Sequence, residues 1–250
     1  MTASIRIAMW SGPRNISTAM MRAFENRADT AVIDEPFYAA YLARSGVAHP
    51  MRDEVLRAHE SDPNRVATTL IGPAPGEAAI FYQKHMTHHM LEGFDRGWMD
   101  GCRHAFLIRA PELVLASYAA TRAQVDLSDI GFVQQSELFD EVGRRIGRPP
   151  PVIDAEDVLA DPARTLTALC TALDIDFDPA MLAWPAGPRA TDGVWAPVWY
   201  QAVERSTGFG RPRPETPRLE PRLRAIADAA RPHYERLARH RIRTSRPRFA

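Results

Sequence analysis

Short apolar runs alternate with amphipathic stretches along this chain, and each run is closed by glycine, proline or a charge. "IRIAMW" (5–10), "TAVIDEP" (30–36), "AAIFYQKH" (78–85), "HAFLIR" (104–109) and "VIDAEDV" (152–158) have strand length and apolar content, and they predict five strands, the fifth a strand or its end. Between them, residues 17–26, 51–60, a stretch starting near Thr87, 111–122, 128–147, 161–175 and 219–241 read as helices. Ser17 stands where an N-cap is expected, Pro111 falls in a first helical turn, and Asp161-Pro162 supplies a cap followed by proline at the first helical position. Residues 62–77, "DPNRVATTLIGPAPGE", read as loop and as part of a mobile insertion over about 45–77. The turn-rich stretch 184–217 leads into a C-terminal lid and helix over about 190–250.

Strands separated by helices predict an α/β fold, a parallel sheet with helices on both faces, in one domain over residues 1–250. Such sheets bind ligands beyond the carboxyl ends of their strands. Arg14, Glu35, Lys84, His85 and Arg109 all fall at such ends.

Composition narrows the classes without changing this picture. Hydrophobic residues make up 45% and charged residues 25%, with a formal net charge of zero, so no bulk attraction to nucleic acid or membrane is expected. Cys102 and Cys170 lie in apolar segments with no C-x-x-C spacing, which argues against a disulfide framework. No run approaches the roughly 18 apolar residues of a membrane helix, and "MTASIRIAMW" has no secretory pattern. The expectation is a cytoplasmic protein. Lys84 is the only lysine; every other cationic side chain of the Lys/Arg type is arginine.

The stretch "MWSGPRNIST" (9–18) turns from an apolar run into a helix while gathering Gly12, Pro13, Arg14, Ser17 and Thr18. Unpaired amides at a helix start, two hydroxyls and a guanidinium suit an anion such as phosphate or sulfate. The nucleotide-triphosphate loop G-x-x-x-x-G-K-[ST] is not met, and no G-x-S-x-G nucleophile turn occurs there. A plain strand–turn–helix with a solvated arginine explains the loop equally well on its own. In "FLIRAPELVLASY", Arg109 ends a strand and Ser117 follows about two helical turns later. Together they can hold an anion lying along the helix flank.

Taken in order, these segments resemble the sulfotransferases that use 3′-phosphoadenosine 5′-phosphosulfate (PAPS). "SGPRNISTAMMRAF" is similar to that family's 5′-phosphosulfate loop, and "IRAPELVLASY" to its 3′-phosphate segment R-[DN]-P-x-[DE]-x-x-x-S. "VIDAEDVLADPARTLTALCTALDIDFDP" resembles its later structural segment. The resemblance spans roughly residues 5 to 180 and implies a P-loop-type fold. It implies that Arg14, Asn15, Ser17 and Thr18 hold the 5′-phosphosulfate and that Arg109 and Ser117 hold the 3′-phosphate. The co-substrate would be PAPS, with no metal, and the acceptor a small molecule bearing a hydroxyl or amine. Ile16 stands in place of the family's glycine, where a branched side chain opposes positive φ. Ala110 replaces its usual Asp or Asn.

Two candidates compete as proton acceptor. Glu35, in "VIDEPFY", matches the position of a proposed glutamate of membrane-bound carbohydrate sulfotransferases; His85 matches, less closely, the K-x-H of the soluble enzymes. Lys84 and His85 are adjacent, so strand alternation sends them to opposite faces. Arg14 and Lys84 are the candidate catalytic cations. His85, His88 and His89 share a helical face but lack a carboxylate or cysteine to complete a metal shell. Asp154, Glu156 and Asp157 are given no chemistry. Residues 192–215 mix Trp195, Trp199, Tyr200 and Phe209 with Arg205, Arg211 and Arg213, which reads equally as an aromatic and basic lid over a nucleotide or as a packing hairpin. Two other readings stay open, a non-catalytic nucleotide-binding regulator of the same fold and an atypical P-loop kinase. Nucleic acid and membrane are not expected partners, and a homodimer is left open.

Overall fold

The structure is a computed structural model and describes residues 4–120, 124–213 and 215–243. In chain order, β1 (Ile5–Ser11) leads to α1 (Ser17–Glu25), β2 (Thr30–Asp34), α2 (Tyr38–Ser45), α3 (Arg52–Ala58) and α4 (Pro63–Ile71). Then come β3 (Ile80–Met86), β4 (Arg103–Ile108), α5 (Pro111–Ala119), α6 (Phe132–Ile146) and β5 (Val152–Asp154). The chain ends its described part with α7 (Ala155–Ala160), α8 (Pro162–Ala172), α9 (Ala196–Trp199), α10 (Gln201–Glu204) and α11 (Pro221–Ala238). Five parallel strands form one sheet in the order β2-β3-β1-β4-β5.

The α/β fold class is therefore as expected, and its cause is visible in β1. Ile7 and Met9 join one core with Met20, Phe24, Leu166 and Leu169 of α1 and α8. Ala8 and Trp10 join the opposite core with Val66, Leu70 and Leu138 of α4 and α6. An apolar run without polar alternation thus buries both faces of a central strand. Register carries the same division into β3, where Lys84 lies beside Met9 and His85 beside Trp10.

Several expected elements come out differently. Residues 62–77 are not loop throughout: Asp62 caps α4 through Asn64 N, and Val66, Ala67 and Leu70 are buried, so three apolar positions at helical spacing prevail over the flanking prolines. No helix follows Thr87; Thr87–His89 is one 3-10 turn. The expected helix 128–147 breaks at Gly131, whose φ is 68°, and a Cβ there would stand 2.8 Å from Thr87 Oγ1. "VIDAEDV" supplies only three strand residues before Asp154 caps α7. Of the expected helix 111–122, α5 covers Pro111–Ala119, and residues 121 and 122 lie outside the described residues, as does the tail from 244. No described helix is long and apolar enough to cross a membrane.

Candidate active site

β1 ends at Ser11, and the chain must turn back over the sheet tips to start α1. Gly12 is required there by close approach: a Cβ would lie 2.7 Å from Ile130 O. Asn15 Nδ2 donates to Leu107 O at 3.2 Å, tying the loop to β4. The expected cap does not form. Ile16 occupies the N-cap position of α1 without a side-chain cap, at φ 56°, and Arg14 has φ 61°. Left-handed backbone costs a non-glycine residue roughly 1–2 kcal/mol, so the loop takes the shape a glycine would favour although the side chain is branched. Strain of this kind collects where surrounding structure holds a functional conformation.

The loop closes one end of a cavity of about 580 Å³ at the carboxyl tips of the strands. Arg14, Asn15, Ser17, Thr18, Glu35, Lys84, Arg109 and Ser117 all line it. Arg14 Nε donates to Ser117 Oγ at 3.0 Å and Nη2 to Ser117 O at 3.2 Å, so the two segments expected to grip opposite ends of one ligand touch each other. Arg109 gives Nη1 to Arg14 O at 3.1 Å, while Nε and Nη2 both reach Glu156 Oε1 at 3.1 and 2.8 Å. Glu156, to which the sequence assigned no chemistry, therefore holds the key arginine. Burial is the main force lowering Arg14 below its ordinary value, and neighbouring Arg109 adds to it. Such a guanidinium gains from an anionic ligand. The Asn15 amide nitrogen is committed to the sheet, while its Oδ1 is buried without a partner among the described residues.

At the other end two carboxylates meet one ammonium. Lys84 Nζ donates to Asp34 Oδ1 at 2.8 Å, Glu35 Oε1 at 2.7 Å and Tyr200 OH at 2.6 Å. Adjacent strand residues point to opposite faces, yet Asp34 and Glu35 reach the same group. The reason is the left-handed turn at Glu35, φ 42°, which ends β2 and swings the second carboxylate back. Burial, with the Asp34 charge adding and Lys84 opposing, raises the Glu35 carboxyl above its ordinary value. Burial pulls the Lys84 ammonium down, but Asp34 and Glu35 outweigh it and hold the group well above its usual value. His89 is sandwiched between Tyr38 and Tyr41 with ring centroids at 4.7 and 4.8 Å; its Nδ1 is buried without a hydrogen bond, 4.0 Å from Glu35 Oε2. Burial and surrounding positive groups hold that imidazole neutral.

His85 is not part of this cavity. As the alternation argument requires, it points to the other face, stacked on Trp10 at 4.5 Å and beside Phe37 and Trp98. Burial, with His104 adding, lowers its pKa to about 3. A group so reluctant to take a proton, and so far inside the core, has no route to an acceptor. Among the described residues no cluster of three or more His, Cys, Asp or Glu side chains is placed to hold a metal.

The late segment contributes as expected for Trp199, Tyr200, Arg205 and Phe209, which line the cavity. The Arg205 side chain makes no hydrogen bond or ion pair among the described residues, and so is an uncommitted cation on the wall. Trp195 plays a different part: it is buried against Tyr38 and gives Nε1 to Tyr200 OH at 3.0 Å. Sequence reasoning missed Asp34; it placed Tyr200 in the aromatic segment and His89 on a histidine face, and gave Glu156 no chemistry, without joining any of them to Lys84, Glu35 or Arg109. Asp34 had a usable signal, since parallel neighbours ending in an acid and a lysine share a face. Tyr200 had none.

Sheet tips converging on arginines and a helix start define an α/β protein with a cavity of cationic and hydroxyl groups at the carboxyl ends of its strands. The sequence model of the family described as Sulfotransferase domain matches residues 5–241, and the chain belongs to that family. Among solved structures it is similar to the sulfotransferase domain from the curacin biosynthetic pathway, with a TM-score of 0.53 at 15% identity over 91% of this chain and 97% of that one. A sulfotransferase from Alicyclobacillus acidocaldarius gives 0.52 at 12% identity, over 96% and 98%. At such identity the likeness is one of fold. Two Arabidopsis thaliana proteins, branched-chain-amino-acid aminotransferase-like proteins 1 and 2, are 39% and 37% identical over 207 residues, 83% of this chain. The chain spans only 37% and 36% of their lengths.

Proposed function

We propose that this sulfotransferase takes its sulfuryl group from PAPS and passes it to a hydroxyl or amine of a small-molecule acceptor. The observation that carries the reading is the convergence on one cavity of two arginine–hydroxyl sets and a carboxylate–lysine pair. A volume of about 580 Å³ is in the range of pockets that enclose ligands of nucleotide size. Arg14, Ser17, Thr18 and the opening amides of α1, which lack partners within the helix, would hold the 5′ group. Arg109 and Ser117 would hold the 3′-phosphate, with Glu156 giving up its N–H contacts as that anion arrives. Uncommitted Arg205 and the Phe209 ring belong to the same wall and suit a phosphate and an adenine.

The bound donor supplies the activated sulfuryl group; the chain supplies charge, position and a proton acceptor. Glu35 is the base in this reading. It lines the cavity, burial raises its carboxyl above the ordinary glutamate value against the pull of Lys84, and its Oε2 accepts no hydrogen bond among the described residues. Lys84 is saturated by three acceptors, so its part is to fix the carboxylates rather than to reach the donor. Arg14 is the cation best placed to neutralise charge on the transferring group. A kinase reading has less support, because the loop lacks the triphosphate lysine and offers a strained isoleucine instead.

Calorimetry with 3′-phosphoadenosine 5′-phosphate and, separately, with ATP and magnesium tests the reading. Metal-independent binding of the bisphosphate is expected, followed by transfer of radiolabelled sulfate to an acceptor. Preference for ATP with magnesium would favour a kinase, and binding without any transfer would leave a regulator.

A further inference from the structure

Asp34 and Glu35 are adjacent carboxylates on one ammonium, yet their surroundings are unequal. Asp34 has both oxygens occupied: Oδ1 accepts from Lys84, and Oδ2 accepts from Tyr200 OH at 2.7 Å and Gly193 N at 3.2 Å. Glu35 has Oε1 on Lys84 and no hydrogen bond to Oε2 among the described residues. Tyr200 is the hub of this inequality. Its hydroxyl accepts from Lys84 and from Trp195 Nε1 and donates its one proton to Asp34, which exhausts a phenol's capacity. The 3.5 Å approach of Tyr200 OH to Glu35 Oε1 therefore has no proton left to serve it. Three of these contacts, from Gly193, Trp195 and Tyr200, come from a segment over 150 residues from β2 in sequence; the segment exists at this site only when docked.

We propose that Tyr200 and Asp34 are positioning residues: they clamp the Lys84 ammonium so that Asp34 serves as its fixed counter-charge and Glu35 is left as the carboxylate that exchanges a proton with the acceptor. This rests on the sulfotransferase reading given above for its functional meaning, but not for its geometry. The other groups facing the pair are His89, 4.0 Å from Glu35 Oε2, with His49 and His88 behind it, and His59 and Tyr82 within the field of Asp34. Buried His89 and half-buried His59 are both held down by burial, so the local charge is set by Asp34, Glu35 and Lys84. Pairs of titratable groups driven apart by their environments are how one site keeps an acid–base role distinct from a structural one.

The test needs no acceptor. The carboxyl carbon of Glu35, labelled through glutamate and assigned by its loss in Glu35→Gln, is followed by NMR against pH. In the unaltered chain its midpoint is expected above that of an ordinary glutamate. In Asp34→Asn the repelling charge is gone and Lys84 faces one carboxylate, so the midpoint falls, at least tenfold in proton affinity. Because Lys84 is the only lysine, a lysine-specific nitrogen label gives one side-chain ammonium signal. Tyr200→Phe keeps the ring and removes one of its three acceptors, and at least tenfold faster exchange of the ammonium protons with water is expected. An Asp34→Asn midpoint that stays or rises, or an ammonium signal unchanged in Tyr200→Phe, would overturn the proposal. Should either variant fail to fold, a Glu35 midpoint at or below the ordinary glutamate value in the unaltered chain overturns it by itself, and one above supports it. Failure of the unaltered chain to bind the bisphosphate would defeat the functional reading while leaving these measurements to decide the clamp.

Discussion

Replacing His85 by phenylalanine separates core from chemistry. The ring sits among Trp10, Phe37 and Trp98, with Nε2 3.3 Å from Gln83 Oε1, and is 1% exposed. Burial lowers its pKa from 6.5 to about 3. The native state therefore stays unprotonated where the unfolded chain binds a proton, so the stabilisation is complete above about pH 6.5 and is lost as pH falls toward 3. At about 1.36 kcal/mol per pH unit, the full window is worth roughly 5 kcal/mol, and the part between neutral pH and pH 5 roughly 2 kcal/mol. His85→Phe keeps an aromatic ring in the stack and removes the titration. Urea unfolding followed by circular dichroism at pH 8 and pH 5 should show the unaltered chain losing about 2 kcal/mol more than the variant. His89 and His104 titrate in both proteins, so only their coupling to His85 differs between the two. Equal losses in the two proteins would refute the argument that this imidazole is held neutral in the core. Bisphosphate affinity should be the same in both.

Three further outcomes test the site. Arg109→Ala removes a guanidinium that already bridges Arg14 O and Glu156, and should weaken bisphosphate binding by roughly 2–3 kcal/mol, read by calorimetry. Unchanged affinity would count against the 3′-phosphate assignment. Glu35→Gln keeps the size of the group but cannot accept the proton, so labelled-sulfate transfer should fall by about a hundredfold or more while bisphosphate affinity is retained. Ile16→Gly should leave that affinity within about threefold, because the backbone already holds the left-handed turn that glycine favours. A large gain would show that the branched side chain itself obstructs the ligand.

Much of the fold was legible because strand and helix patterns are local. The five apolar runs, their order and their closing residues follow from side chains that must leave water on both faces of a parallel sheet. The errors also have local causes. Flanking prolines and glycines masked α4, and Gly131 cut one helical pattern in two. The half of the site proposed to hold the anion could be located too, since a strand, a tight turn and a helix start are contiguous in sequence.

The half proposed for acid–base work was decided elsewhere. Strand alternation by itself separates Lys84 from His85, and that separation held. Alternation also separates Asp34 from Glu35, and there it failed, because a left-handed residue at the strand end turned both carboxylates onto one ammonium. Tyr200, Trp195 and Gly193 reach that cluster across more than a hundred residues, and Glu156 reaches Arg109 from the neighbouring strand's helix. The chain's own pattern settles which residues are buried and at which end of the sheet chemistry gathers, because those depend on neighbours in sequence. Which charge faces which is settled only on docking, because a buried ion takes whatever partner the packed elements bring within about 3 Å.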